Sequence, residues 1–228
     1  FMHDWVAPKG YKQAQRDFED IVGPGLEESK RSGHGFFAAL AQQEPNYSQD
    51  KLMSEAKGLL FAAFETTAAT ISQTLSYLVA NPDAMRKAQQ EVDRVLGSGE
   101  FTVASSSELT YLTACFNESL RLSPPVDCNI YEVARPGEVM GFAVQAGDII
   151  GISSFACGRD PNMFGNDADQ FKPERYLVSA SELRGAEEAA RLPQFGFSLG
   201  AHQCLGRSIA YLEARVILAN LLHRYEFK

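Results

Sequence analysis

A run of helical periodicity limits this chain more than any other feature. From Ser48, which can cap a helix, apolar residues recur as Leu52, Ala56, Leu59, Leu60, Ala63, Phe64, Ile71, Leu75, Leu78 and Val79. The pattern holds to Ala80, where Asn81-Pro82 stops it. A helix of roughly 30 residues is about 45 Å long at 1.5 Å per residue, enough to cross a whole domain. The sequence therefore predicts a central helix around which the other elements are arranged.

Other segments follow in order. A second helix is expected from Pro82 to near Gly97, and a third from about Ser107 to Leu122, closed by Ser123-Pro124-Pro125. Between Val126 and Ile152 short β-branched runs separated by glycines read as strands: Ile130–Ala134, Phe142–Val144 and Ile149–Ile152. Residues 158–203 read mostly as loop, rich in Gly, Pro, Asp and Asn, and a last helix runs from about Gly206 to Arg224. The first 47 residues are weakly patterned and interrupted by Pro24-Gly25. The result is a mainly α fold with a small β-sheet, divided into residues 1–47, the end of a preceding helical region, and 48–228, the main portion.

With 21 Lys and Arg against 29 Asp and Glu, the net charge is −8, and no clustered basic surface suits a nucleic acid. Cys115, Cys128, Cys157 and Cys204 are scattered without a CxxC pair, which suits an intracellular, reducing compartment rather than a disulfide scaffold. The closest apolar run, Leu59 to Phe64, is far too short to span a bilayer. The chain begins at Phe1 in mid-pattern and is read as a fragment truncated at both ends.

The long loop ends in Phe197-Ser198-Leu199-Gly200-Ala201-His202-Gln203-Cys204-Leu205-Gly206, directly ahead of the final helix. A cysteine there faces unpaired N–H groups and the positive end of a helix dipole, which favour a thiolate. Gly200 and Gly206 remove side chains where the backbone must approach a flat ligand or take positive φ, and Phe197 can cover the sulfur. FxxGxxxCxG arises by chance on the order of once in 10⁵–10⁶ positions. This segment resembles the haem-binding loop of the cytochrome P450 family, extended by Ala210. The resemblance implies the C-terminal, haem-binding half of the P450 fold. Cys204 would then be the axial iron ligand, Phe197, Gly200 and Gly206 part of the cofactor loop, and His202 the contact to a haem propionate. Gly196 stands where the family more often has proline.

Three further motifs fall in the family's order. Glu118-Ser119-Leu120-Arg121 matches its ExxR helix, and Pro173-Glu174-Arg175-Tyr176 its PERF-like segment. The resemblance implies a buried structural network of Glu118, Arg121 and Arg175. Ala62-Ala63-Phe64-Glu65-Thr66-Thr67, in the middle of the long helix, resembles the family's oxygen-binding motif. By it, Glu65 and Thr66 deliver protons to dioxygen at the iron. Ala63 replaces the usual glycine and narrows the space over the haem. Ala62, Ala63, Val126 and Ile130 would line the substrate pocket, which Asp127 and Asn129 make polar. Where the family has a propionate-binding arginine after Pro-Pro, this sequence aligns Glu132. Either Arg135 takes over through a shifted register or the contact is absent.

The implied function is haem-thiolate monooxygenation. One atom of dioxygen enters a small, apolar organic substrate, with electrons from NADPH or NADH passed by a reductase or ferredoxin. The alternatives are a haem-thiolate isomerase or dehydratase, and a non-catalytic haem-binding relative. The cofactor would be haem b. The parent is expected inside the cell, with attachment to the endoplasmic reticulum membrane through an absent N-terminal part compatible with the family. Residues 1–228 alone are expected to bind haem weakly or not at all and to be inactive.

Overall fold

A computed structural model of the chain describes residues 10–44, 46–97, 101, 103, 105–177 and 194–227. They cluster into two compact units, residues 1–64 and 65–228.

In the first unit, α1 (Tyr11–Ser32) and α2 (Phe36–Gln43) occupy the stretch read as weakly patterned. Pro24 lies inside α1 rather than ending it. Proline removes one N–H from a helix and kinks it, but a long helix can absorb that loss. Gly33 closes α1 in the left-handed conformation, φ 70°. Ser29 Oγ then donates to the His34 carbonyl at 2.8 Å and accepts from the Ala38 N–H at 3.2 Å, fixing the turn into α2.

The long helix is α3 (Gln49–Ala80), 32 residues without a break. Ser48 caps it as expected, its Oγ accepting from the Lys51 N–H at 3.2 Å. Burial along α3 is not continuous. Leu52 and Ala56 are buried near its start, and Thr70, Ile71, Thr74 and Leu78 near its end. Between them Leu60, Phe61, Ala62, Ala63 and Phe64 are all exposed, Phe64 at 75%.

The second unit is built on helices. α4 (Pro82–Leu96) begins with its proline in the first turn and buries Ala84, Met85, Ala88, Val92 and Leu96, an i, i+4 stripe. α5 (Thr110–Leu122) follows a 3-10 turn at Ser105–Glu108 and is buried almost all round. α8 (Arg207–Arg224), the last helix, adds Ala214, Leu218, Ala219 and Leu222. These side chains form one core with Ile71 and Leu78, including Leu112, Phe116 and Phe197. Each large side chain so buried contributes roughly 1.5–3 kcal/mol.

Four short strands make two antiparallel ladders. β1 (Cys128–Glu132) pairs with β4 (Ile149–Ser153), Cys128 opposite Ser153 and Glu132 opposite Ile149. β2 (Gly137–Val139), which the sequence did not signal, pairs with β3 (Phe142–Val144). β1 begins two residues earlier than its β-branched composition suggested. Pairing with β4 sets the register, and Val133 leaves the ladder to bond across the turn with Asp148 and Gly147.

The stretch read as loop after residue 158 contains a four-residue helix, α7 (Pro161–Phe164), and a 3-10 turn at Pro173–Tyr176. Another four-residue helix, α6 (Ser154–Cys157), directly follows β4. The part of that loop from 178 to 193 lies outside the described residues. Among the described residues no helix is long and apolar enough to cross a membrane.

Candidate active site: the cysteine loop and its supports

The loop that carries Cys204 is folded back on itself. A 3-10 turn at Phe195–Phe197 and another at Gly200–His202 are joined by Ser198 and Leu199. The Cys204 N–H donates to the Phe197 carbonyl at 2.8 Å and closes the loop. Two backbone positions need unusual angles: Gly200 at φ 69°, and Ser198, which is not glycine, at φ 57°. A side chain held there is strained by about 1–3 kcal/mol and persists because its surroundings enforce it.

Those surroundings are four different elements, each gripping one of four consecutive residues. Ser154 of α6 donates through Oγ to the Phe195 carbonyl at 3.2 Å. Leu120 of α5 packs so closely on Gly196 that a Cβ there would sit 2.7 Å from Leu120 Cγ. A side chain there would require Leu120 to shift. Tyr211 of α8 lies against the Phe197 ring, centroids 5.3 Å apart. Tyr131 of β1 shares a 2.8 Å hydrogen bond with Ser198 Oγ. Phe197 is buried in the core, so it fastens the loop from beneath.

Above this base the loop is open. Cys204 is exposed, two residues before Gly206, which precedes the first turn of α8. A Cβ added at Gly200 would meet nothing within 4 Å, and one at Gly206 would meet only the Cys204 sulfur, 3.9 Å away. Leu199, Leu205 and Ile209, next to it in sequence, are 51%, 75% and 63% exposed. Exposed apolar side chains within five residues of an exposed thiol suit an apolar ligand that takes sulfur as a metal donor. His202 is exposed, its ring 5.5 Å from that of Tyr131 at 60°.

The ion network lies on the other side of α5 residue Leu120. The Glu118 carboxylate is fully buried and accepts from Arg121 Nε and Nη2, both at 2.7 Å. It also accepts from the Lys172 N–H at 2.8 Å and Arg175 Nε at 3.2 Å. The rest of the Arg121 guanidinium donates to the carbonyls of Gly158, Ala168 and Gln170. Arg175 donates to Phe164 and Asp167 carbonyls and pairs with the Asp167 carboxylate at 2.7 Å. Lys172 Nζ reaches the other Asp167 oxygen at 2.9 Å. Hydrogen bonds from Lys172 and then Arg175 hold the Asp167 carboxyl down at about 2. A fully buried carboxylate is tolerable only with this degree of pairing.

The structure thus brings Glu118, Arg121 and Arg175 together, and gathers Phe197, Gly200, His202, Cys204 and Gly206 on one loop. Glu65 is exposed and Thr66 half-buried, both on α3. Further along α3, Thr70 Oγ1 donates to the Thr66 carbonyl at 2.8 Å and Thr74 Oγ1 to that of Thr70. Val126 and Ile130 are exposed at 42% and 70%. Asn129 donates to Ser154 Oγ at 2.9 Å, and Ser154 in turn bonds the Phe195 carbonyl of the loop.

Sequence reasoning missed Tyr131, Ser154 and Gly158. Only the register of β1, which puts Asn129 and Tyr131 on one face, exposes the first. Gly158 has ordinary helical angles, φ −64°, yet a Cβ there would be 2.3 Å from the Arg121 carbonyl oxygen.

The structure joins a mainly helical fold, a cysteine on a glycine loop ahead of the last described helix, and a Glu–Arg–Arg network that braces α5. The family model Cytochrome P450 matches residues 11–228, and the chain belongs to that family. It is 35% identical over 184 residues to a self-sufficient cytochrome P450 monooxygenase of Aspergillus terreus, covering 78% of this chain and 17% of that protein. To a putative cytochrome P450 of Caenorhabditis elegans it is 28% identical over 212 residues, 92% of this chain and 40% of the relative. To the cytochrome P450 monooxygenase aclL of Aspergillus oryzae it is 34% identical over 190 residues, 82% and 38%. The chain spans less than half the length of these curated relatives.

Proposed function

We propose that the protein containing this chain is a haem-thiolate monooxygenase in which Cys204 is the iron ligand. The observation that carries this is the loop itself: an exposed thiol on a backbone fastened at four successive residues, with bare glycines on either side. Haem bound there would supply the iron for monooxygenation of an organic substrate, with electrons from NADPH or NADH through a reductase or ferredoxin.

Each residue of the chain has a definable task in this reading. Cys204 would donate sulfur from a loop whose fold is held by the bonds to Phe195 and Ser198. Leu199, Leu205 and Ile209 offer the apolar surface a macrocycle needs, which excludes water from beside the thiolate. His202 would meet a cofactor carboxylate. Glu118, Arg121 and Arg175 hold α5, and through Leu120 the loop, in one position. Glu65 and Thr66 would move protons on the substrate side, and exposed Val126 and Ile130 would meet a small apolar substrate.

The test is the reduced, carbon-monoxide-treated full-length protein beside its Cys204→Ser variant. A strongly red-shifted Soret band that vanishes in the variant supports thiolate ligation. A band at the position of histidine ligation, or failure to take up haem, overturns it.

A further inference from the structure

Alternation along β1 sends Asn129 and Tyr131 toward the cysteine loop, where they bond Ser154 and Ser198, and turns Ile130 and Glu132 to the opposite face. Glu132, negatively charged and on the wrong face, is no partner for a carboxylate. Arg135 stands exposed on the bend after β1. The residue of β1 that meets the loop is Tyr131.

Its surroundings are those of a donor waiting for an acceptor. The Tyr131 hydroxyl and Ser198 Oγ are 2.8 Å apart, and either can donate. When the serine donates, the phenolic proton is left for a third group. The His202 ring stands edge-on to the Tyr131 ring, 5.5 Å between centroids, and is itself exposed. Ser198 holds its hydroxyl there at the cost of a left-handed backbone, φ 57°. Exposed Leu199 adjoins it in sequence. A phenol and an imidazole beside apolar surface suit a ligand with a flat apolar body and a carboxylate at its rim.

We infer that Tyr131, with His202 beside it, donates a hydrogen bond to a carboxylate of the bound tetrapyrrole, in place of an arginine from this strand. This rests on the haem reading above. It assigns Tyr131 a binding role that neither Glu132 nor Arg135 fills.

The test uses the full-length, haem-loaded protein and measures haem release into excess apomyoglobin by the Soret change. Tyr131→Phe should release haem about tenfold faster, the usual weight of a hydrogen bond to a charged group. Reconstitution with haem dimethyl ester, whose carboxylates are blocked, separates binding from scaffolding. The parent should release the ester about tenfold faster than haem, and Tyr131→Phe should no longer differ from it. Equal release of haem and ester by the parent overturns the inference whether or not the variant folds. So does acceleration by Tyr131→Phe that persists with the ester. A protein without the thiolate band overturns this inference and the proposed function together. A protein with that band and unchanged haem release overturns this inference alone.

Discussion

At the scale of single residues, stability and site geometry meet at Gly158. Its carbonyl accepts from Arg121, while its Cα lies so close to the Arg121 carbonyl that a methyl group would sit 2.3 Å from that oxygen and 3.1 Å from the Ser154 carbonyl. Both obstacles are backbone, so no rotamer change relieves them. Gly158→Ala is expected to destabilise the full-length protein by about 3 kcal/mol, the upper part of the overpacking range. Urea unfolding reads this as a lower midpoint, and an unshifted midpoint would mean the two backbones can part freely. Glu118 offers the complementary case. Glu118→Gln nearly preserves shape but leaves the buried Arg121 and Arg175 guanidinium groups without their shared counter-charge. A loss of about 3–5 kcal/mol is expected, as for other buried pairs deprived of one partner. The variant's unfolding midpoint at neutral pH measures it, and a loss below 1 kcal/mol would show that the carbonyl contacts carry the network alone.

Helix termini show how elements depend on one another. α5 has no cap from its own sequence, Leu109 standing at the N-cap position. The Glu91 carboxylate of α4 takes that place: one oxygen accepts from the Tyr111 N–H at 2.8 Å and the Thr110 hydroxyl at 2.9 Å, the other from the Leu112 N–H at 2.9 Å. Glu91 satisfies orphan donors and also sets a negative charge at the positive end of the helix. Glu91→Ala should cost about 1–2 kcal/mol, like loss of a conventional cap, and denaturant unfolding with an unchanged slope is the check. This cap was illegible in the sequence because its acceptor comes from another helix. What was legible is what short-range chemistry dictates: the Ser48 cap, the stop at Asn81-Pro82, and the end of α5 before Pro124. Cys204 could be found because glycine and cysteine spacing is a backbone constraint written locally. The register of β1 could not, since Cys128 and Asn129 are poor strand formers recruited by pairing with Ile152 and Ser153. Tyr131 followed the register into obscurity. α1 was obscured by Pro24 and its two flanking glycines, which a long helix overrides.

For the molecule as a whole, the carboxylates that bind its loops to its helices make it sensitive to acid. Asp167 joins the segment around α7 to Lys172 and Arg175, and Glu174 joins the turn at Pro173–Tyr176 to Lys87 of α4 at 2.6 Å and to the Tyr111 hydroxyl of α5 at 3.1 Å. Burial alone would raise Glu174, but hydrogen bonds from Lys87, the backbone and Tyr111 outweigh it and leave its carboxyl below the usual range. Asp167 falls to about 2. In the unfolded chain such groups titrate near 3.9 and 4.3. Their folded values are lower, so the native state binds fewer protons throughout that interval, and stability falls as pH falls. The stabilisation is complete above about pH 5 and is lost as pH drops through the folded values toward about 2. Asp167→Asn removes one of these groups from the titration without enlarging the side chain. The variant should therefore be less stable than its parent at pH 7, and the gap between their urea midpoints should close steadily between about pH 5 and pH 2. A gap of constant width across that interval would show that Asp167 acts through packing or its backbone carbonyl, and that the loop is held by Arg175 irrespective of charge.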